Sequence, residues 1–409
     1  MNASVRRHAE IGERARMIRK RRGLSLQATA ELAGISKGYL SLLERGEKRF
    51  ERRSLLENLA TALGCSVVDL TGQPYLPADR ASAEALATLP AISVALYDAD
   101  LDDPLDMPVR DVVELAGWAS QANEHSANNR YGLAGAGLGV LLGELHVHAA
   151  ADDPDTRRTA LAALVETCFV ASGTARTLGN PDLAVHAARR AEDAARRLGD
   201  PALSAFAAMT STSALSRLGA RRGAQRVATA ALAAVEEHAD PTAEDTAAAQ
   251  AAGMLHLSSA QMAAKDRRAD EADEHLAAAR SLAQRTGERN ALWFSFGPAN
   301  VEAWSLSTSV ELERGPSAAE RIERTPGYDD GLVTADRRSA LHFDMARAYA
   351  QADGDRDAAA LRHLDTADRI APQRIRHDPI ARELVAELDS RARRRVWELD
   401  SLKVRLGVS

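Results

Sequence analysis

Only two of the 409 residues are cysteines, Cys65 and Cys168, and no metal-ligand spacing surrounds them. Free buried thiols in a reducing compartment are therefore expected, and a disulfide-stapled scaffold is excluded. Aromatic residues make up 4% of the chain and β-branched runs are scarce, which argues against sheet and for helix nearly throughout. Long apolar runs are also missing. The longest, residues 131–143, stops at Glu144 and is too short to span a bilayer. Arg6, Arg7, Arg14 and Arg16 are not followed by an apolar stretch, so no secretory signal is read and a cytoplasmic, membrane-free protein is expected.

Signatures of chemistry are absent as well. The glycines at 132, 135, 137 and 139 fail the dinucleotide fingerprint, because Val140 stands where a glycine is needed and no strand precedes them; close helix packing explains them better. His146 and His148 are two apart, which on a helix points them to different faces and not at one metal. Neither a phosphate loop nor a nucleophile elbow occurs. No enzyme, cofactor or metal is expected.

What the chain has is alanine, leucine and arginine over a length too great for one compact helical core, so several domains or a repeat array are expected. Its net charge of −6 is unevenly spread. The first 75 residues carry 14 Lys and Arg against 8 Asp and Glu, leaving the remainder at −12. A basic head on an acidic body fits nucleic-acid binding by the head alone.

Residues 23–46 read as two short helices hinged at a glycine. Ser25 is placed to cap the first, Gly34 supplies a turn that favours positive φ, and Ser36 caps a second helix closed by Gly46. Leu32, Ile35, Leu40 and Leu43 are expected inside the pair, with Ser36, Lys37, Gly38, Ser41 and Leu42 outside. A preceding helix over residues 8–21 would bury Ile11, Ala15 and Ile18. A fourth helix over residues 53–63 would bury Leu55, Leu56, Leu59 and Leu63 and end at Gly64, before a short fifth helix at residues 67–70.

In Gly23-Leu24-Ser25, Glu31-Leu32-Ala33-Gly34-Ile35-Ser36, Tyr39-Leu40-Ser41 and Leu43-Glu44-Arg45-Gly46 the chain resembles lambda-repressor-like helix-turn-helix regulators of the xenobiotic-response-element (XRE) type. The likeness covers residues 8–72. It departs at Leu26, where a polar glutamine is usual and Gln27 follows one place later, and at Thr29, where a leucine is usually buried. The resemblance implies a five-helix DNA-binding domain whose second hinged helix enters the major groove. Lys37 can reach guanine O6 and N7, Ser36 can donate to a phosphate or base edge, and Gly38 clears room for close approach. Leu42 either touches a thymine methyl or simply packs, and Tyr39 either packs inward or hydrogen-bonds a phosphate. Ser25, Gln27 and Ser41 complete the contact candidates on the helices, while Arg45, Lys48, Arg49, Arg52 and Arg53 form a cationic loop suited to phosphates.

Residues 73–80, with two prolines, read as a linker from this domain (residues 1–72) to the rest (residues 81–409). Beyond it, helices alternate with breaks at residues 178–181, 198–201, 239–241, 285–287 and 315–316. Breaks fall about 20 residues apart in mid-chain, so a hairpin takes about 40, near the tetratricopeptide period of about 34. Residues 182–198, 271–283 and 357–370 share an alanine-rich stripe suited to the second helix of such a repeat, and stacked repeats form a superhelix with a concave face. Tyr131, Glu144-Leu145-His146, Leu178-Gly179, Phe296-Gly297-Pro298-Ala299-Asn300-Val301 and the stretch from Ala371-Pro372 to Arg382-Glu383 resemble actinobacterial XRE regulators with tetratricopeptide-like bodies. The domain order is similar to that of the RRNPP peptide-pheromone receptors.

That likeness implies an all-α homodimer with a peptide or small-molecule effector in the concave groove, its two heads reading double-stranded operator DNA as a two-fold site. Groove candidates are Trp293, Gly297, Asn300 and Trp304 at helical spacing, then Phe206, Met209 and Ser213 on one helix and Phe169 and Arg176 on another. Core packing would explain the same tryptophan stripe, and Gly297-Pro298 can start that helix afresh. A repeat body that binds another protein in place of an effector would instead show a flat exposed apolar patch.

Overall fold

The computed structural model describes residues 11–77, 79–394 and 396–408, and no β-strand occurs among them. The head consists of α1 (Ile11–Arg21), α2 (Leu26–Leu32), α3 (Lys37–Glu44), α4 (Arg53–Leu63) and α5 (Val67–Thr71). The expected start of the first helix before Ile11 lies outside the described residues. Local chemistry sets these boundaries. Ser25 Oγ accepts from Ala28 N at 3.0 Å and Ser36 Oγ from Tyr39 N at 3.1 Å, each satisfying a backbone donor that the first turn leaves unpaired. Gly34, between them, has φ +68°.

Ile11, Ala15, Ala30, Leu40, Leu43, Leu55, Leu56, Leu59 and Leu63 form the head's core, with Ile18 and Ile35 packed against it. Leu32 departs from expectation: it is 66% exposed. The α2–α3 seam is filled instead by Ala30, Ala33 and the buried Thr29, whose hydroxyl is satisfied by the Ser25 carbonyl at 3.0 Å. α1 and α3 approach so closely that a Cβ on Gly12 would lie 1.9 Å from the Leu43 carbonyl oxygen.

After the head, α6 (Arg80–Asp98), α7 (Val112–Ala127), α8 (Tyr131–Gly135) and α9 (Leu138–Ala149) pack together at the front of the body. The glycines of the 132–139 run let α8 and α9 lie close on α6, as expected: a Cβ at Gly139 would meet the Ala91 carbonyl at 2.6 Å. Five hairpins follow in series: α10 (Pro154–Thr177) with α11 (Pro181–Leu198), α12 (Pro201–Leu218) with α13 (Arg221–Glu236), α14 (Ala247–Lys265) with α15 (Ala269–Thr286), α16 (Pro298–Glu311) with α17 (Gly315–Glu323), and α18 (Ala335–Ala350) with α19 (Asp357–Ile370). The first helices of consecutive hairpins touch one another and form an inner row, while each second helix packs on its own partner. Proline at the first position opens α10, α11, α12 and α16, where its missing N–H costs nothing. The 239–241 break behaves differently, since α14 starts only at Ala247. α20 (Pro372–Arg376), α21 (Pro379–Arg391) and α22 (Trp397–Leu406) close the far end.

The outer helices are amphipathic by alanine. Ala184, Ala187, Ala188, Ala191, Ala194 and Ala195 of α11 are buried while Arg189, Arg196 and Arg197 are exposed, so small side chains let the two layers approach. Cys168 is buried in α10, where desolvation pushes its thiol up to about 12; Cys65 is free and only half-buried. No helix among the described residues is long and apolar enough to cross a membrane.

The head is not a free appendage. Its core and that of the rear hairpins form one continuous apolar cluster. Gln73 and Tyr75, in the 73–80 stretch expected to be a linker, pack along the same seam: Gln73 Nε2 donates to the His377 carbonyl at 2.8 Å, and Arg382 lies 3.6 Å over the Tyr75 ring.

Candidate functional site

At the outer face of the head, Ser36, Lys37 and Gly38 are exposed at the start of α3, with Ser25 and Gln27 exposed at the start of α2. Lys37 makes no hydrogen bond or ion pair with the described residues. Nothing lies within 4 Å of where a Cβ on Gly38 would sit, so no internal clash accounts for that glycine. Ser41 and Leu42 are half-buried farther along. Tyr39 is half-buried too and packs against the head's core beside Arg52; burial pushes its phenol up. The rear end of α3 is braced internally. Arg19 donates to both carboxylate oxygens of Glu44, at 2.6 and 2.7 Å, and to the Leu24 carbonyl at 3.1 Å.

The expected cationic loop divides. Arg45 is exposed, held to Glu47 and the Ser41 hydroxyl, and Lys48 lies 3.6 Å from Asp353 of the body. Arg49 is half-buried in a small pocket with Glu383 and Glu387. Arg52 and Arg53 are corrected outright. Arg52 is buried and pairs with Glu313 at 2.6 Å, and Arg53 pairs with buried Asp378. These two arginines are committed to the body, because the acidic ends of its helices meet the head there.

That seam is built from desolvated charge. Glu311, at the end of α16, is fully buried; it accepts from Arg347 at 2.7 Å, from the Ser54 hydroxyl at 2.8 Å and from the Arg53 backbone N–H at 3.3 Å. Glu57 of α4 receives Lys265 at 2.6 Å and Arg221 at 2.9 Å. Burial alone would raise the Glu311 carboxyl, but Arg347 and Lys265 bring it down to about 2, and Arg53 and Arg217 act likewise on Asp378, also about 2. Both lie below the unfolded carboxylate value of about 4. Their stabilisation is thus complete above that value and is lost as pH falls through about 2. Between pH 5 and pH 2 the urea midpoint of the full chain is expected to fall, and Glu311→Gln to flatten that fall; an equal slope in both would contradict it.

Along the inner row of the body lies a partly open cavity of about 260 Å³. Phe169 and Arg176 of α10, Met209 and Ser213 of α12, Asn300 and Trp304 of α16, and Trp293 all line it. A neighbouring cavity of about 180 Å³ shares Arg53, Arg176, Ser213, Lys265 and Trp304 with it. Two groove candidates are displaced. Phe206 is buried behind the wall, its ring 4.6 Å from Phe169 and 4.8 Å from Phe294. Gly297 is buried against Glu288, where a Cβ would meet a carboxylate oxygen at 2.1 Å. The tryptophan stripe is likewise broken. Trp293 ends a 3-10 turn (Ala291–Trp293) and α16 begins only at Pro298, so Trp293 and Trp304 converge on the cavity from two elements.

Sequence reading missed several wall residues. Asn123 and Ser126 come from α7; Met254, Ser258 and Gln261 from α14; Asp336, Arg337 and Asp344 from α18. Regular placement on the inner helices is the signal that could have found them. Arg53, from the head, also lines the cavity, and no sequence pattern announced that. Among the described residues no group of three or more His, Cys, Asp or Glu is placed to hold a metal ion. Two histidine pairs, His256 with His275 and His342 with His363, face each other through Nδ1 at 3.0 Å across α14–α15 and α18–α19.

Residues 10–71 match the family described as a helix-turn-helix domain. The chain is similar to the HTH-type transcriptional regulator SinR of Bacillus subtilis (strain 168), 37% identical over 65 residues, which is 16% of this chain and 59% of that protein. It is also similar to the HTH-type transcriptional regulator SinR of Bacillus licheniformis, 38% identical over 63 residues, 15% of this chain and 57% of the relative. The chain thus spans less than two thirds of the length of each relative. No solved structure matches. Residues 10–71 are a helix-turn-helix domain of the XRE type, followed by a long body of helices packed in series.

Proposed function

We propose that the chain is a DNA-binding transcription regulator, homodimeric, whose tetratricopeptide-like body binds a peptide or small-molecule effector that modulates operator binding. One observation carries the reading. Arg53, the first residue of α4 in the helix-turn-helix domain, lines the cavity of the body, so whatever enters that cavity meets the DNA-binding domain directly. An effector can shift operator affinity only if it binds the two head positions unequally, and a contact shared by head and cavity supplies such a difference. The alternative, a scaffold for a protein partner, calls for a flat exposed patch; the interior cavity favours an effector.

Lys37, Ser36 and Gly38 then present the start of α3 to base edges, with Lys37 reaching guanine, while Ser25, Gln27 and Arg45 lie near phosphates. Lys37→Ala is expected to weaken operator binding by about 1–3 kcal/mol per contact and to relax the base preference at one position. Titration of operator variants selected from random DNA checks this; unchanged affinity and preference would remove Lys37 from the base-reading set.

A further inference from the structure

The cavity wall is cationic. Five cationic side chains line it: Arg53, Arg176, Lys265, Arg337 and Arg374. Four are held by three carboxylates. Arg53 is held by Asp378, Lys265 by Glu57, and Arg337 and Arg374 both by Asp336. The Arg176 side chain makes no hydrogen bond or ion pair with any described residue. Desolvation lowers its pKa, Arg374 and Arg337 act in the same sense, and Tyr131 and Asp336 oppose them from beyond ion-pair distance. A guanidinium is hard to deprotonate, so the charge stays with no carboxylate in direct contact.

Polar atoms on the same wall are unsatisfied in a patterned way. Asn123 Oδ1, Gln261 Oε1 and Asn300 Oδ1 are buried acceptors without a protein donor, and Trp304 Nε1 is a buried donor without an acceptor. The amide orientations are fixed by their other ends: Asn123 Nδ2 donates to Glu166 at 2.8 Å and Asn300 Nδ2 to the Phe294 carbonyl at 3.2 Å. Buried polar atoms without partners are costly, and four of them on one wall beside an unpaired arginine describe a recognition surface. Phe169, Met209 and Trp293 add an apolar side. The volume, about 260 Å³, is small for a ligand pocket, for which roughly 300–1,000 Å³ is usual; this favours a small molecule or a very short peptide.

Resting on the effector reading above, we infer that the cavity takes an amphiphilic monoanion: an apolar chain against Phe169, Met209 and Trp293, an amide donor and acceptor at Asn300 and Trp304, and one carboxylate on Arg176. A carboxylate matches a guanidinium through two parallel hydrogen bonds. A dianion such as a phosphate fits worse, because Asp336 and Asp344 also line the wall and Arg176 is the one lining cation with no carboxylate in ion-pair contact among the described residues.

The test uses the full chain with two probes, N-octanoylglycine and its neutral amide N-octanoylglycinamide, read by thermal melting and by tryptophan fluorescence, since Trp293 and Trp304 face the cavity. The acid is expected to bind the wild-type protein at least about tenfold more tightly than the amide, the usual scale of a charge-assisted hydrogen bond. Arg176→Gln is expected to remove that preference while leaving amide binding in place, and Arg176→Lys to keep part of it. Arg176→Gln deletes an unpaired charge, so its melting temperature without probe should not fall, which separates lost recognition from lost folding. Equal binding of acid and amide, or binding of neither, would overturn the inference. Operator affinity measured with saturating N-octanoylglycine tests the regulator reading separately: acid-selective binding with unchanged operator affinity would keep the anion site and remove its regulatory role.

Discussion

Glu311→Ala is expected to lower the stability of the full chain by about 3–5 kcal/mol, the scale for removing one partner of a buried pair. The carboxylate is inaccessible to solvent and joins three elements at once: Arg347 from α18, and the Ser54 hydroxyl and the Arg53 N–H from the start of α4. Its removal leaves Arg347 buried with only Asp344, at 2.7 Å, to offset its charge, and leaves three donors of α4, the Arg53 and Ser54 N–H groups and the Ser54 hydroxyl, without their acceptor. Glu311→Gln should fall between the two, because an amide still accepts from Ser54 but carries no charge. Urea midpoints at constant slope measure the loss; an alanine variant within about 1 kcal/mol of wild type, the range of an exposed ion pair, would show that the seam contributes little.

Phe296→Ala is the second large loss, about 3–5 kcal/mol, as expected for deleting a core ring whose surroundings relax only partly. Phe296 is fully buried, and its ring occupies the space where a side chain at residue 253 would be: a Cβ on Gly253 would lie 2.1 Å from it. The ring therefore fixes the distance between α14 and the segment that delivers Trp293 and Phe294 to the cavity. Gly253→Ala overfills the same contact and should cost about 1–3 kcal/mol. Chemical unfolding of both variants checks the pair; if the smaller-to-larger change were the more damaging, the ring would be unable to yield to the added methyl, and close approach at Gly253 would outweigh burial of the ring.

What could be read from sequence follows the range of the forces involved. The head's helices were legible because caps and turns act over three or four residues: Ser25 and Ser36 cap as expected, and Gly34 turns as expected. The alternation of helices and breaks in the body was legible for the same reason. Leu32 was misread because its neighbours Ala30, Ala33 and Thr29 already fill the seam. Arg52 and Arg53 looked like phosphate ligands because their partners, Glu313 and Asp378, are hundreds of residues away in sequence. Seven of the nine groove candidates do meet at one cavity, whereas Phe206 and Gly297 fall behind its wall. Helical spacing places a residue on a face; it does not say whether that face meets a void or another side chain.

The brace between Arg19 and Glu44 has a mechanical consequence. It fastens α1 and the entry to α2 onto the rear of α3, so those three segments are held at a set angle to one another. The end of α3 that carries Lys37 inherits that angle, and the geometry of donor against base edge is sensitive to angle.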